Sequence, residues 1–331
     1  MGSMSVSEGK TLLDCIGNTV LQRLHLRFND RAYHVYAKLE FMNPSGSVKD
    51  RIAKYMIEQA ELCRILKPGN TIVEATSGNT GIALSMVAAA KGYKMLVVMP
   101  EHMTGERIKI MTNLGASLCL TPKKDGFEGA VVRADKIAKS DKHYFLTDQF
   151  RNPNNTMAHY STTGQEIIRQ MGKNIDAFVA GIGTGGTLMG VTKALREVNT
   201  KVRSIAVEPE EAAVLSGRKD IRDHKITGIG DGFVPAIVDM KMVDQIVAIK
   251  SDDAIEMART LSSQCGFMVG ISSGANVLAS IHVLDEIGRD KKVVTVLPDR
   301  TERYFSTDLY LPKEQRVRQC SKHCECPFDS L

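Results

Sequence analysis

The chain has 331 residues, 43% of them hydrophobic, and its 43 basic against 38 acidic residues give a formal charge of +5. This is enough for a large core and predicts two domains or one large α/β unit. Aromatic residues make up only 5% and interleave with no basic run, and no apolar stretch reaches the ~20 residues of a membrane span, so nucleic-acid and membrane roles are set aside.

At the start, "MGSMSVSEGK" lacks the apolar core of a signal peptide. Seven cysteines, odd in number and without a paired framework, predict a reducing, cytoplasmic setting. The stretch "NPSGSVKDR", residues 43–51, is the first unusual one. Pro44 biases Asn43 away from helical geometry, and Gly46 permits backbone angles other residues avoid. From Arg51 onward Ile52, Met56 and Ala60 recur at helical spacing, with Ala53 and Ile57 beside them. Lys49 therefore falls near a loop-to-helix junction. Taken alone, such a lysine is a surface residue at the start of a helix.

Two blocks of alternating strands and helices follow. In the first, "TIVEA" reads as a buried strand, "GIALSMVAAAKG" as a helix closed by Gly92, and "MLVVMP" as a strand stopped by Pro100. "TGERIKIMTNLG" reads as a helix capped by Thr104 and ended by Gly115, then "SLCLT" as strand and "GAVVRADKIAKS" as helix. In the second block "AFVAG", "RSIAVE" and "KVVTVLP" read as strands, and "TLMGVTKALREV", "DDAIEMARTLSSQ" and "GANVLASIHVLDEIG" as helices. Residues 219–237 read as a loop rich in glycine and charge. Such alternation predicts parallel sheets covered by helices on both faces, and two blocks predict two α/β domains with a cleft between them. The tail "CSKHCEC", with Cys320, His323, Cys324 and Cys326, lacks the two spaced ligand pairs of a structural metal site, so no metal is expected.

Three loops carry chemistry. "GIGTGGT", residues 181–187, follows a strand and opens a helix, which offers backbone N–H groups to a phosphate. Gly181, Gly183 and Gly186 also fit the dinucleotide pattern, with Glu208 near the position of a ribose-binding acid. "TSGNTG", residues 76–81, sets Thr76, Ser77, Asn79 and Thr80 at a helix N-terminus, more donors than a cap needs and suited to a carboxylate. "GISSGAN", residues 270–276, follows the strand-like "FMVG", opens a helix, and places Ser272 or Ser273 as an N-cap or as a hydroxyl facing a cleft. Pyridoxal phosphate chemistry uses all of these with Lys49: a lysine for a Schiff base, a phosphate cradle, a partner for the pyridine nitrogen and a carboxylate site for an amino acid. A nicotinamide reading uses one glycine loop and leaves Lys49 and residues 76–81 without a role.

The segments "NPSGSVKDR", "EATSGNTG", "GIGTGGT", "HKITGIGDGF", "GISSGAN" and "ERYFST" resemble the cysteine synthase (O-acetylserine sulfhydrylase) family, with the cystathionine-β-synthase branch as a near relative. The resemblance spans roughly residues 12 to 311. It implies a fold type II (tryptophan-synthase-β-like) pyridoxal-phosphate enzyme: α/β, two three-layer domains, the active site in the cleft. Residues 46–150 would form a smaller, mobile domain, residues 1–45 with 151–312 a larger one, and 313–331 a cysteine-bearing tail. It implies Lys49 as the Schiff-base and catalytic lysine, and Asn79 at the cofactor ring hydroxyl. Gly183, Thr184, Gly185, Gly186 and Thr187 would hold the phosphate, and Ser272 the pyridine nitrogen. Thr76, Ser77, Asn79, Thr80, Gln149 and Gly228 would bind the substrate. A neutral hydroxyl from Ser272 does not hold that nitrogen protonated, which favours expelling a β-substituent over transamination, and a freed Lys49 is the natural base for the Cα proton.

The implied reaction is ping-pong: O-acetyl-L-serine loses acetate to give an aminoacrylate, and sulfide adds to give L-cysteine. A homodimer is implied as well. Alternatives keep the chemistry with O-phosphoserine or serine as donor, or homocysteine or an amine as acceptor. An alternative of another class is a catalytically silent, sulfide-sensing or binding relative. Three positions depart from the family: Val20 replaces a usual proline, Asp148 precedes Gln149, and Asp231 stands where many members have a small residue. A carboxylate at 231 would repel a phosphorylated leaving group or bind an amine of the nucleophile.

Overall fold

The computed structural model describes residues 11–101 and 105–310, and among them two sheets form. The chain opens with an antiparallel hairpin, β1 (Leu21–Phe28) and β2 (Arg31–Leu39). Its turn residues Asn29 and Asp30 lie at φ 47° and 58°, as a two-residue turn matched to strand twist requires. Then come α1 (Lys49–Leu62), β3 (Thr71–Ala75), α2 (Asn79–Lys91), β4 (Lys94–Pro100), α3 (Gly105–Asn113), β5 (Ser117–Thr121), α4 (Gly126–Ser140) and β6 (Tyr144–Leu146). β3 to β6 make a four-stranded parallel sheet in the order β5-β4-β3-β6.

The chain next enters α5 (Pro153–Ala158), which runs through a π turn, His159–Gly164, into α6 (Gln165–Met171). β7 (Ala177–Gly181), α7 (Gly186–Val198), β8 (Arg203–Pro209), β9 (Gln245–Ile249), α8 (Ser251–Cys265), α9 (Ile271–Ile287) and β10 (Val293–Leu297) follow. The second sheet has six strands in the order β1-β2-β10-β7-β8-β9, parallel except for β1. β10 is central, pairing Val294 with Tyr36 on one side and Phe178 on the other. Strands covered on both faces read as unbroken apolar runs, and β10 is buried along its whole length. One face of this sheet packs on α8 and α9, the other on α6 and α7, and the smaller sheet is likewise covered on both faces.

The two three-layer α/β units agree with the fold class expected from the motifs, and the strands and helices read in the two blocks stand where they were placed. Gly92 closes α2 in the left-handed conformation, φ 75°. Residues 219–237 hold no helix or strand. Several expectations need correction. α1 begins at Lys49 itself rather than at Arg51. The larger sheet is mixed because a hairpin forms its edge, and the hairpin, β9 and the helical run 153–171 were not anticipated. "FMVG" is no strand, since only Val269 bridges, to Arg300. Ser272 and Ser273 do not cap α9: Gly270 occupies the N-cap and both serines lie in the first turn. Thr104 and the cysteine tail lie outside the described residues. Among the described residues no helix is long and apolar enough to cross a membrane, and no group of side chains is placed to hold a metal.

Candidate active site

Lys49 is fixed from two sides. The loop before it is stitched to the segment after β10: Val48 N donates to Pro298 O at 2.8 Å, Arg300 N to Gly46 O at 3.2 Å, and Arg303 to the carbonyls of Ser45 and Gly46. Asp50, fully buried, accepts from Ser45 N at 2.7 Å and from the Ser45 hydroxyl; burial pushes its carboxyl up to about 6 against those bonds. Beneath them Arg51 forks between two buried carboxylates, Nε to Glu40 Oε2 at 2.6 Å and Nη1 to Glu166 Oε1 at 2.7 Å, and Lys38 Nζ lies 2.6 Å from Glu166 Oε2. This neutral cluster of four charges joins the end of β2, α1 and α6. Burial lowers the Lys49 ammonium below its ordinary value, while the charges of Asp299 and Asp231 oppose it. A lysine brought nearer to neutral is what a nucleophile or base requires.

At the end of β7, residues 183–187 form a steep cradle. A Cβ on Gly183 would fall 2.3 Å from Gly228 O, one on Gly185 2.2 Å from Val238, and one on Gly186 1.9 Å from Asn155 Oδ1. Gly185 lies at φ 87°, which side chains rarely adopt. The first N–H groups of α7 have no intrahelical partners and face this cradle with the positive end of the helix dipole. Thr184 Oγ1 accepts from Asn155 Nδ2 at 2.9 Å, and Thr187 Oγ1 lies 3.2 Å from His159 Nε2. His159 is neutral, because burial and the Arg51 charge bring it down to about 3.

At the end of β3, residues 76–80 lead into α2. Asn79 Nδ2 donates to Asp299 Oδ2 at 2.6 Å, and the same oxygen accepts from Tyr304 Oη at 2.7 Å. Asn79 Oδ1 is buried with no partner among the described residues. Thr80 Oγ1 donates to Gln149 Oε1 at 2.6 Å. Glu74, buried below, accepts from Thr147 Oγ1 at 2.5 Å and Gln149 N at 3.2 Å; burial pushes its carboxyl up to about 7.

One cleft brings together Lys49, Thr76, Ser77, Asn79, Thr80, Gln149, Gly183, Thr184, Gly185, Thr187, Gly228 and Ser272. Gly186 is the exception: it lies behind the cradle, against Asn155. The dinucleotide reading fails, since the buried Glu208 is spent on its own loop, accepting from Leu215 N at 2.7 Å and Ser216 Oγ at 2.5 Å. Sequence reasoning missed Asn155, His159, Asp299, Tyr304 and the cleft-lining Arg107, whose guanidinium stands 5.6 Å from the Tyr304 ring centre. For Tyr304 a signal existed, since "ERYFST" contains it, but nothing local tied it to Asn79. The fit to pyridoxal phosphate rests on the cradle that any Cβ would fill, on the unpartnered Asn79 Oδ1, and on a lysine with a lowered pKa between them.

The chain matches the family described as pyridoxal-phosphate dependent enzyme over residues 12–299, and it belongs to that family. Within it, the chain is 48% identical over 296 residues to a cysteine synthase of Staphylococcus aureus, covering 89% of this chain and 95% of that one. A probable cysteine synthase of Bacillus subtilis is 45% identical over 300 residues, covering 90% and 96%. The solved structure of O-acetylserine sulfhydrylase isoform 3 from Entamoeba histolytica superposes with a TM-score of 0.87 at 39% identity, covering 97% and 96% of the two chains. The resemblance read from the motifs, and the cofactor it implied, are thereby borne out.

Proposed function

We propose that the chain forms L-cysteine from O-acetyl-L-serine and sulfide. The observation that carries this is the convergence on one cleft of Lys49, a glycine cradle at the start of α7 and a loop of neutral donors at a helix N-terminus. Bound pyridoxal phosphate supplies an electron sink for the charge that develops at the donor's Cα. Residues 183–187 would hold its phosphate, Lys49 its aldehyde carbon, Asn79 its ring hydroxyl and Ser272 its pyridine nitrogen. Thr76, Ser77, Asn79, Thr80 and Gln149, with Gly228 beside them, would receive the donor's carboxylate. Freed when the donor's own amine takes its place, the Lys49 amine would take the Cα proton as acetate leaves Cβ and return a proton to Cα after sulfide adds at Cβ. Tyr304 and Asn79, both bonded to Asp299 Oδ2, keep that carboxylate oriented near the Lys49 amine.

In this reading residues 46–150 are the smaller, mobile domain and residues 1–45 with 151–312 the larger. The enzyme works as a cytoplasmic homodimer on small molecules. The test is the visible spectrum of the purified protein during addition of O-acetylserine and then sulfide. The expected result is a yellow protein whose band moves to longer wavelength and then returns, with cysteine formed. A band that ignores O-acetylserine but answers O-phosphoserine or serine overturns the donor. A protein that pyridoxal phosphate cannot colour overturns the role of Lys49.

A further inference from the structure

The backbone N–H and carbonyl of Gln149 are each held by a buried side chain that does not itself line the cleft. Glu74 Oε2 accepts from its N–H at 3.2 Å, and Asn155 Nδ2 donates to its carbonyl at 2.8 Å. Asn155 is 0% exposed, and its second Nδ2 hydrogen goes to Thr184 Oγ1, at 2.9 Å, in the glycine cradle. One carboxamide thus spans from the segment that carries Gln149 to the loop that carries Thr184. Its Oδ1 has no partner among the described residues and stands over the Cα of Gly186, where no side chain would fit. A buried amide oxygen left unpaired is destabilising, and the two bonds from the nitrogen of the same amide are what offset it here. Asn152 braces the same segment from the start of α5, donating to Thr147 O at 2.8 Å.

We propose that Asn155 is a positioning residue that ties the donor-binding segment at Gln149 to the phosphate loop at Thr184, so that filling the phosphate loop prepares Gln149 for the amino acid. The inference rests on the roles given above to Gln149 and to residues 183–187. Coupling of this kind works by removing freedom: once Thr184 is fixed by phosphate, Asn155 and the Gln149 carbonyl lose their alternatives, and the donor meets a segment already in place. By reciprocity a bound donor tightens the hold on the cofactor.

The test uses Asn155→Ala, the isosteric Asn155→Asp, which removes both donors, Gln149→Ala, and the Gln149→Ala/Asn155→Ala pair. Two quantities are read for each: the dissociation constant of pyridoxal phosphate from the stripped protein, by absorbance titration, and the KM for O-acetylserine after reloading. Asn155→Ala and Asn155→Asp are each expected to raise both quantities roughly tenfold, the effect of leaving one buried acceptor unpaired at each end. The double variant is expected to show the KM of Gln149→Ala alone while keeping the weakened cofactor binding of Asn155→Ala. A variant that folds, melts earlier and leaves both constants at their wild-type values overturns the proposal. So does a double variant whose KM rises by the product of the two single effects. If Gln149→Ala itself leaves KM unchanged, the role of Gln149 falls and this inference with it; a Gln149 effect without an Asn155 effect overturns the tie alone.

Discussion

Replacing Arg51 with methionine keeps most of the side-chain volume and removes the fork that holds Glu40 and Glu166. The guanidinium makes four bonds to these carboxylates, between 2.6 and 2.8 Å, and both acids are almost wholly buried. In its absence the neutral cluster becomes two buried carboxylates facing Lys38 alone. Breaking a buried pair by removing one partner costs about 3–5 kcal/mol, a large share of an ordinary domain's stability. Urea unfolding at pH 7 measures it. A second readout is pH. Burial pushes Glu166 upward, but the bonds and charge of Arg51 and the bond from Lys38 bring it down to about 2 from an ordinary 4.5. Its contribution is therefore present above pH 4.5 and is lost as pH falls toward 2. The Arg51→Met protein has less of this to lose, so its stability falls less steeply with acid. An Arg51→Met protein within about 1 kcal/mol of wild type at pH 7 would refute the reasoning, since surface ion pairs reach only that magnitude.

Lys49→Ala is expected to fold with an unchanged far-ultraviolet spectrum and to lose turnover; normal cysteine formation would remove Lys49 from the mechanism. Gly183→Ala forces a Cβ to within 2.3 Å of Gly228 O, and is expected to weaken pyridoxal phosphate binding more than tenfold and to destabilise by about 1–3 kcal/mol, read by titration and urea. Glu74, raised to about 7 by burial, stabilises the fold fully below pH 4.5 and less as pH rises through 7. Glu74→Gln should therefore gain on wild type between pH 5 and pH 8, by about 3 kcal/mol at most, and a gap constant with pH would count against it. Ser272→Asp is expected to divert the enzyme toward side products by favouring a protonated pyridine, and an unaltered product profile would contradict the role given to Ser272.

Motifs whose chemistry is local were legible in the sequence. The glycines at 183, 185 and 186 can be read because each leaves no room for a Cβ, against the backbone at Gly183 and against side chains at Gly185 and Gly186, and Gly92 because a helix must stop there. The contacts that assemble the cleft around Lys49 were not legible, because they are made by residues far apart in sequence. Asp299 and Tyr304 reach Asn79 from the other end of the chain, and Asn155 meets Thr184 across α5 and α7. The hairpin at the sheet edge had a visible signal, the alternation in "LQRLHLRF" before Asn29-Asp30, but the strand-helix rhythm drew the reading toward a purely parallel sheet. The N-cap of α9 was misassigned because two serines follow a glycine, and the glycine turned out to be the cap.

The stitching of the Lys49 loop to the residues after β10 also sets an order of assembly. Gly46 and Arg303, joined by a hydrogen bond, lie 257 residues apart in the chain. During synthesis the lysine, both glycine loops and Ser272 emerge before the segment that immobilises the lysine exists. Contacts at such separation are late and slow to form, because much of the chain must already be ordered to bring the ends together. A nascent or C-terminally shortened chain would thus carry Lys49 and the loops at residues 76–81, 181–187 and 270–276 while holding that lysine in an unanchored loop. The fixed position of Lys49 in this protein is conferred by β10 and the turns that follow it.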